Sequence, residues 1–255
     1  MYAVAGICFS CCLRAQPLNE YQRSWFIQSG DTLPYRILFP ENYDASKEYP
    51  LIVFLHGRGE SGRDNQKQLQ HGAGLFLTDS VRRNHPAIVV FPQCAADDYW
   101  SNVHTISDEK GKRDFYFVKE GPPSRSMELL LGFLENLFVR YKIKASQVYA
   151  MGLSMGGMGV FELVRRRPAL FAAAIPICGG ANPATAAALR HVKWWVFHGA
   201  QDDVVDPVFS ETMVKALLQQ KATVRFTLYP EAKHNSWDAA FAEAGLLDWL
   251  FAQHK

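Results

Sequence analysis

Apolar residues fall along this chain in short unbroken runs: Pro50–Leu55, Ala87–Phe91, the stretch opening at Val148, Phe171–Cys178 and Lys193–Phe197. Runs of this length without polar alternation mark strands covered on both faces. Thr223–Tyr229 supplies a last strand. Between the runs the apolar spacing changes to that of a helix, most clearly at Met127, Leu130, Leu131, Leu134, Leu137, Phe138 and Tyr141, with Ser124 or Ser126 as the cap. Further helices are expected over 160–165, stopped by Pro168, over 184–190 and over 208–220. A final helix is capped by Ser236 and carries Trp237, Ala240, Phe241, Leu247, Leu250 and Phe251 mostly on one side. Arg23–Gln28 and Leu33–Phe39, joined by Ser29-Gly30-Asp31, predict a hairpin. Residues 93–123 show no clear period, and so long a loop in a compact domain is expected to be functional or mobile. Strands alternating with helices predict an α/β fold, a mostly parallel sheet with helices on both faces. No repeat or linker divides the chain, so residues 21–255 read as one domain.

Composition adds limits. With 255 residues and 48% hydrophobic content the chain can bury a large core. A net charge of +2 gives no electrostatic footprint for nucleic acid. The runs Arg82-Arg83 and Arg165-Arg166-Arg167 sit where helices should end and read as solvated last turns. Three of the five cysteines, Cys8, Cys11 and Cys12, crowd into residues 1–15, a mostly apolar stretch too short to span a membrane. It reads as a signal or lipoprotein-type leader with Ala15 before the cut, which implies a secreted or periplasmic protein. The competing reading is a cytosolic or mis-started N-terminus, since no basic residue precedes the apolar run. Cys94 and Cys178 follow separate strands, so no bridge between them is expected.

The chemistry centres on Gly152-Leu153-Ser154-Met155-Gly156, lying between a β-prone segment and a helix-compatible one. This is the nucleophile-elbow pattern, in which glycines two before and two after a serine allow a sharp, strained turn that presents its hydroxyl. A phosphate-binding loop would need a lysine before the helix, and none is present. A serine hydroxyl is a poor nucleophile near neutral pH and needs an imidazole base oriented by a carboxylate. In an open parallel sheet the reactive groups gather at the carboxyl ends of strands. The loop after Phe197 offers Asp202, Asp203 and Asp206, and the loop after Tyr229 offers His234. The order serine, acid, histidine is the one this fold requires. His56 and His198 each precede a glycine at a strand end and read as buried hydrogen-bonding residues. His71, His85, His104, His191 and His254 read as surface or loop residues. No metal-ligand spacing is present, so neither a metal nor a cofactor is expected. The backbone N–H of Met155, opening the elbow helix, is positioned to hold an oxyanion.

Four segments carry a resemblance: Leu55-His56-Gly57-Arg58-Gly59-Glu60, Gly152–Gly157, His198-Gly199-Ala200-Gln201-Asp202 and Lys233-His234-Asn235-Ser236-Trp237. The chain resembles the α/β-hydrolase superfamily, and within it the small esterases related to dienelactone hydrolases, acyl-protein thioesterases and the polyhydroxybutyrate-depolymerase or feruloyl-esterase group. The resemblance implies Asp202 as the acid, third after the glycine of the His-Gly pair. The Val-Pro usual behind it is here the longer Val205-Asp206-Pro207, which keeps Asp203 and Asp206 in play, Asp206 also being well placed as a helix cap. It implies the N–H of Arg58 as second oxyanion donor, with Gly59 as fallback. The Arg58 side chain has three candidate fates: an anionic substrate group, a salt bridge to Glu60, or solvent. Trp100 and Trp237 are candidate pocket walls, each weighed against plain packing; Trp194 and Trp195 read as core.

The resulting expectation is a serine hydrolase cleaving carboxylic esters of small molecules through an acyl-enzyme on Ser154, with an open site and no large lid. A prolyl-oligopeptidase-like peptidase is the nearest rival, although that group usually adds a gating domain. A non-catalytic binding protein on a hydrolase scaffold is the rival from another class. The acyl and alcohol preferences and the oligomeric state are left open.

Overall fold

The computed structural model describes residues 18–107, 109 and 113–255. The leader expected over 1–15 lies outside them. Among the described residues ten strands and seven α-helices form in chain order. The strands are β1 (Gln22–Gln28), β2 (Asp31–Leu38), β3 (Tyr49–Leu55), β4 (Ile88–Pro92), β5 (Val103–Ser107), β6 (Arg113–Phe117), β7 (Ile143–Leu153), β8 (Ala173–Ile177), β9 (Lys193–Gly199) and β10 (Val224–Tyr229). The helices are α1 (Asp79–Asn84), α2 (Arg125–Arg140), α3 (Met155–Arg166), α4 (Ala186–Leu189), α5 (Val208–Gln219), α6 (Trp237–Phe241) and α7 (Leu246–Phe251).

Eight strands make one sheet in the order β1-β2-β4-β3-β7-β8-β9-β10. The first three pair antiparallel, and all pairings from β4 to β10 are parallel. The hairpin turn of β1 and β2 places Ser29 at φ 54° and Gly30 at φ 84°, the left-handed pair that matches strand twist. Side chains alternate across the central strands and bury on both faces. Leu51, Val53, Leu55, Val148 and Ala150 meet α2, α3 and α5 through Leu130, Phe133, Val160, Phe161 and Met213. Ile52, Phe54, Tyr149 and Met151 face Leu69, Phe76, Ala240, Leu246 and Leu250 on the other side. Trp194 and Trp195 enter opposite layers. That two-sided burial is why the strands read as continuous apolar runs.

Two segments depart from the expectation. The long loop holds the two-stranded hairpin β5–β6, anchored because Phe115 and Phe117 pack on Phe209, with Met158 and Val205 in the same cluster. Strands of five residues with exposed outward positions give too short an alternation to read from sequence. The last helix is two, because Gly245 takes φ +75° between α6 and α7, a left-handed conformation that stops helix propagation. Ser124 rather than Ser126 caps α2, its Oγ accepting from the Met127 N–H at 3.2 Å. No helix among the described residues is long and apolar enough to cross a membrane.

Candidate active site

The serine sits where β7 turns sharply into α3. Ser154 adopts φ 53° and ψ −120°, a conformation that costs a non-glycine residue about 1–3 kcal/mol and persists only when its surroundings enforce it. The enforcement is visible. Ser154 N–H donates to Ile177 O at 2.9 Å, and its carbonyl accepts from Met158 N–H at 3.0 Å. A Cβ on Gly156 would collide with the carbonyl oxygen of Leu55, so the first turn of α3 can press on the end of β3 only because residue 156 has no side chain. Close packing of β3 against the elbow thus fixes the loop over 56–58 beside the serine.

The acid and base loops are tied together where β9 and β10 end. Ala200 N–H donates to Tyr229 O at 2.9 Å and Gln201 N–H to Ala232 O at 3.0 Å. This carries Asp202 to His234 and His234 to the serine. His234 Nε2 lies 3.0 Å from Ser154 Oγ, and His234 Nδ1 lies 2.8 Å from Asp202 Oδ2. The Asp202 side chain is fully buried, while that of His234 keeps 19% exposure. Asp202 Oδ1 accepts from the N–H groups of Val204 and Val205 at 2.9 and 3.0 Å. Burial alone would raise the Asp202 carboxyl. Hydrogen bonds from His198, from His234 and from the Val205 amide outweigh it and hold the group well below the usual carboxylate range. An ionised carboxylate only accepts, so Nδ1 is the donor in the contact with Asp202, and the neutral tautomer with that proton presents Nε2 to the serine as an acceptor. Asp203 is exposed. Asp206 accepts from Val208 N–H at 3.0 Å at the start of α5, as a cap does.

The remaining expected residues find varied places. Met155, the first residue of α3, offers an N–H without an intrahelical partner. Arg58 opens a 3₁₀ turn directly after Gly57, which passes close to Ser154. None of the three fates expected for the Arg58 side chain is the one found. Its guanidinium donates to the carbonyls of Asp98 and Ala96 at 2.7 Å each and lies 4.7 Å from the centre of the Tyr99 ring. It pins the loop after β4. Trp237 is partly exposed, its ring 5.3 Å from that of His234 and edge to face with it. Trp100 is wholly buried and cannot wall an open pocket. Its Cβ rests against Gly159 of α3 and its ring meets His56 at 5.5 Å, so it braces the elbow helix from behind.

Several neighbours were invisible to sequence reasoning as parts of the site. His198 is fully buried with Nε2 2.9 Å from Val205 O and 3.2 Å from Asp202 Oδ2, so the acid faces two imidazoles. The His-Gly pair at a strand end announced its burial and not its contact. His56 accepts from Cys94 N–H through Nε2 at 2.9 Å, and its Nδ1 lies 2.6 Å from Gly57 O; burial lowers its pKa to about 4. His71, read as a surface or loop residue, lies in a loop and is half-buried against Trp237. Cys94 and Cys178 are both buried and free. Among the described residues one group has metal-ligand proximity, with donor atoms of Cys178, Asp202 and His234 within 4.8 Å of one another. Two of those donors are already bonded to each other, and burial together with the Asp202 charge pushes the Cys178 thiol up.

A predominantly parallel sheet with a serine on a strained strand-to-helix turn, and with histidine and aspartate arriving from the last two strand ends, defines the α/β-hydrolase fold. The family model described as phospholipase/carboxylesterase matches residues 42–245. The chain belongs to that family. Among solved structures it is similar to a thermostable esterase at 31% identity and TM-score 0.83, covering 93% of this chain and 64% of that one. The chain thus spans somewhat under two thirds of that esterase. A ferulic acid esterase from Anaeromyces mucronatus, solved with ferulic acid, is 15% identical with TM-score 0.63 and covers 91% of this chain and 90% of its own. A putative dipeptidyl aminopeptidase IV from Bacteroides ovatus, also 15% identical, has TM-score 0.61, with 90% of this chain covering 34% of that one. These two likenesses establish the fold alone. A search of curated proteins gave no significant match.

Proposed function

We propose that the protein hydrolyses carboxylic esters through an acyl-enzyme on Ser154. The observation that carries this is the unbroken contact from Ser154 Oγ to His234 Nε2 and from His234 Nδ1 to the buried carboxylate of Asp202. His234 takes the serine proton as the hydroxyl oxygen attacks the ester carbonyl. Negative charge develops on the carbonyl oxygen, and the N–H groups of Met155 and Arg58 hold it; one such donor is worth about 3 kcal/mol. Collapse of the intermediate breaks the ester C–O bond, and His234 gives its proton to the departing alcohol. Water, deprotonated by the same imidazole, then releases the acid and restores the serine. Asp202 stays ionised and fixes the imidazole tautomer. The partial exposure of His234 and Ser154 supports direct access for that water.

A fluorophosphonate probe and a p-nitrophenyl ester series beside proline-containing amides test the proposal. The expected result is covalent labelling of the wild type, no labelling of Ser154→Ala, and ester turnover exceeding amide turnover. A folded protein that resists the probe, or one that cleaves the amides and not the esters, overturns it.

A further inference from the structure

The far edge of the sheet is left open, and the helix beside it carries an ordered row of apolar and charged residues. β10 ends the eight-stranded sheet, so its outer edge has no neighbouring strand. Its single charged side chain, Arg225, lies over the Trp195 ring, 3.6 Å from the ring centre, and Trp195 belongs to the layer opposite the one that holds Phe226 and α5. The face shared with α5 therefore has no charge from the strand to guard it. An apolar groove of about 450 Å³ runs there, lined by Glu211, Val214, Lys215, Leu218, Gln219 and Phe226. Among the described residues nine large hydrophobic side chains are exposed, and three of them belong to these two elements: Val208 at 47%, Leu218 at 55% and Leu228 at 37%. That concentration marks a contact surface rather than scattered exposure.

The inner face of α5 is already committed. Met213 and Leu217 enter the core, and Ser210 Oγ donates to Gly179 O at 2.9 Å. The outward residues Val208, Glu211, Lys215 and Leu218 recur at spacings of three, four and three, which makes a seam along one side of the helix. In chain order the seam is apolar, acidic, basic, apolar. Two such helices laid antiparallel, with a two-fold axis at the level of Met213, bring Val208 opposite Leu218 and Glu211 opposite Lys215. Both pairings need the same axis, so one placement satisfies the whole seam. A parallel placement would set Glu211 on Glu211 and Lys215 on Lys215. Neither side chain enters an ion pair among the described residues, so both charges are free to pair across the axis.

We propose that α5 and the open edge at β10 form a self-complementary contact with a second copy of this chain, the antiparallel α5 seam at its centre. The apolar ends of the seam close over the groove, and Glu211 with Lys215 set the register. The order of charges names the occupant: a lipid surface or an unrelated apolar partner would leave both charges against apolar groups, which is costly.

The test is sedimentation velocity of the full chain, with thermal melts as the control for folding, on the wild type, Glu211→Lys, Lys215→Glu, Leu218→Glu and an equal mixture of the two charge reversals. At roughly 100 μM the wild type should be mainly dimeric, which needs a Kd of about 10 μM or tighter. Each single reversal sets like charges opposite each other on both sides of the axis and should weaken Kd at least about tenfold. Leu218→Glu, which places a charge against Val208 of the second copy, should do the same. The mixture decides, because Glu211→Lys on one chain then meets Lys215→Glu on the other and every facing pair is again of opposite sign; Kd should return to within about threefold of wild type. An ion pair within one helix cannot respond to mixing. A wild type that stays monomeric, whether or not it binds phosphatidylcholine vesicles added in parallel, overturns the proposal. So does a dimer that the reversals leave unchanged, or a mixture that associates no better than its components.

Discussion

Asp202→Asn is the sharpest probe of the relay, because four groups converge on that carboxylate and an amide cannot serve them all. Two backbone N–H groups, of Val204 and Val205, reach Oδ1 at 2.9 and 3.0 Å, while His234 Nδ1 and His198 Nε2 face Oδ2 at 2.8 and 3.2 Å. If the amide oxygen stays on the backbone donors, the new NH₂ points at both imidazoles. His234 can then accept only by moving its own proton to Nε2, and an Nε2–H facing Ser154 cannot receive the serine proton. The expected loss in kcat is about 10⁴-fold, or roughly 5.5 kcal/mol of barrier. His198 keeps Val205 O at 2.9 Å but meets a donor where it had an acceptor, which should cost about 1–3 kcal/mol of stability. Initial rates on p-nitrophenyl butyrate and urea unfolding of the same preparations measure both effects. Asp203→Asn and Asp206→Asn should stay within about threefold of wild type, as changes at exposed sites usually do. An Asp202→Asn enzyme keeping more than about a tenth of wild-type activity, or an equal loss in either neighbour, would refute the assignment of the acid.

Other outcomes follow from the same geometry. The pKa of His56 is about 4 in the fold against 6.5 for the free side chain. The unfolded chain therefore binds the proton first, and stability is lost as pH falls from about 6.5 toward 4. Between pH 7 and 4.5 the loss from this group is about 2 kcal/mol; His56→Gln should show a correspondingly shallower pH dependence in urea melts, and an identical slope would contradict the assignment. Gly156→Ala drives a methyl group into the Leu55 carbonyl, so a drop of about 3 kcal/mol or more is expected, together with loss of fluorophosphonate labelling. A variant with wild-type melting and labelling would show that the elbow is not held by that contact.

Strands, helices and the elbow were legible because each is written in local pattern: double-sided burial gives unbroken apolar runs, one-sided burial gives helical spacing, and paired glycines frame the serine. The β5–β6 hairpin was not, because its stability comes from Phe115 and Phe117 meeting Phe209, more than ninety residues away. The break before α7 depends on the left-handed conformation of one glycine, which composition permits without requiring. Trp100 shows the same limit: an aromatic residue in an aperiodic loop reads as a pocket wall, yet here it packs on Gly159 behind the elbow.

By itself the sequence determined which reactive side chains exist, their order along the chain and their places at strand ends, because those follow from short-range patterning and the right-handed connection of parallel strands. Only the tertiary structure decided that Asp202 rather than its neighbours meets His234 and that a second imidazole shares the acid. These are distances between loops linked through β9 and β10. Such distances are set by how the sheet packs, a long-range outcome that no local stretch of residues encodes.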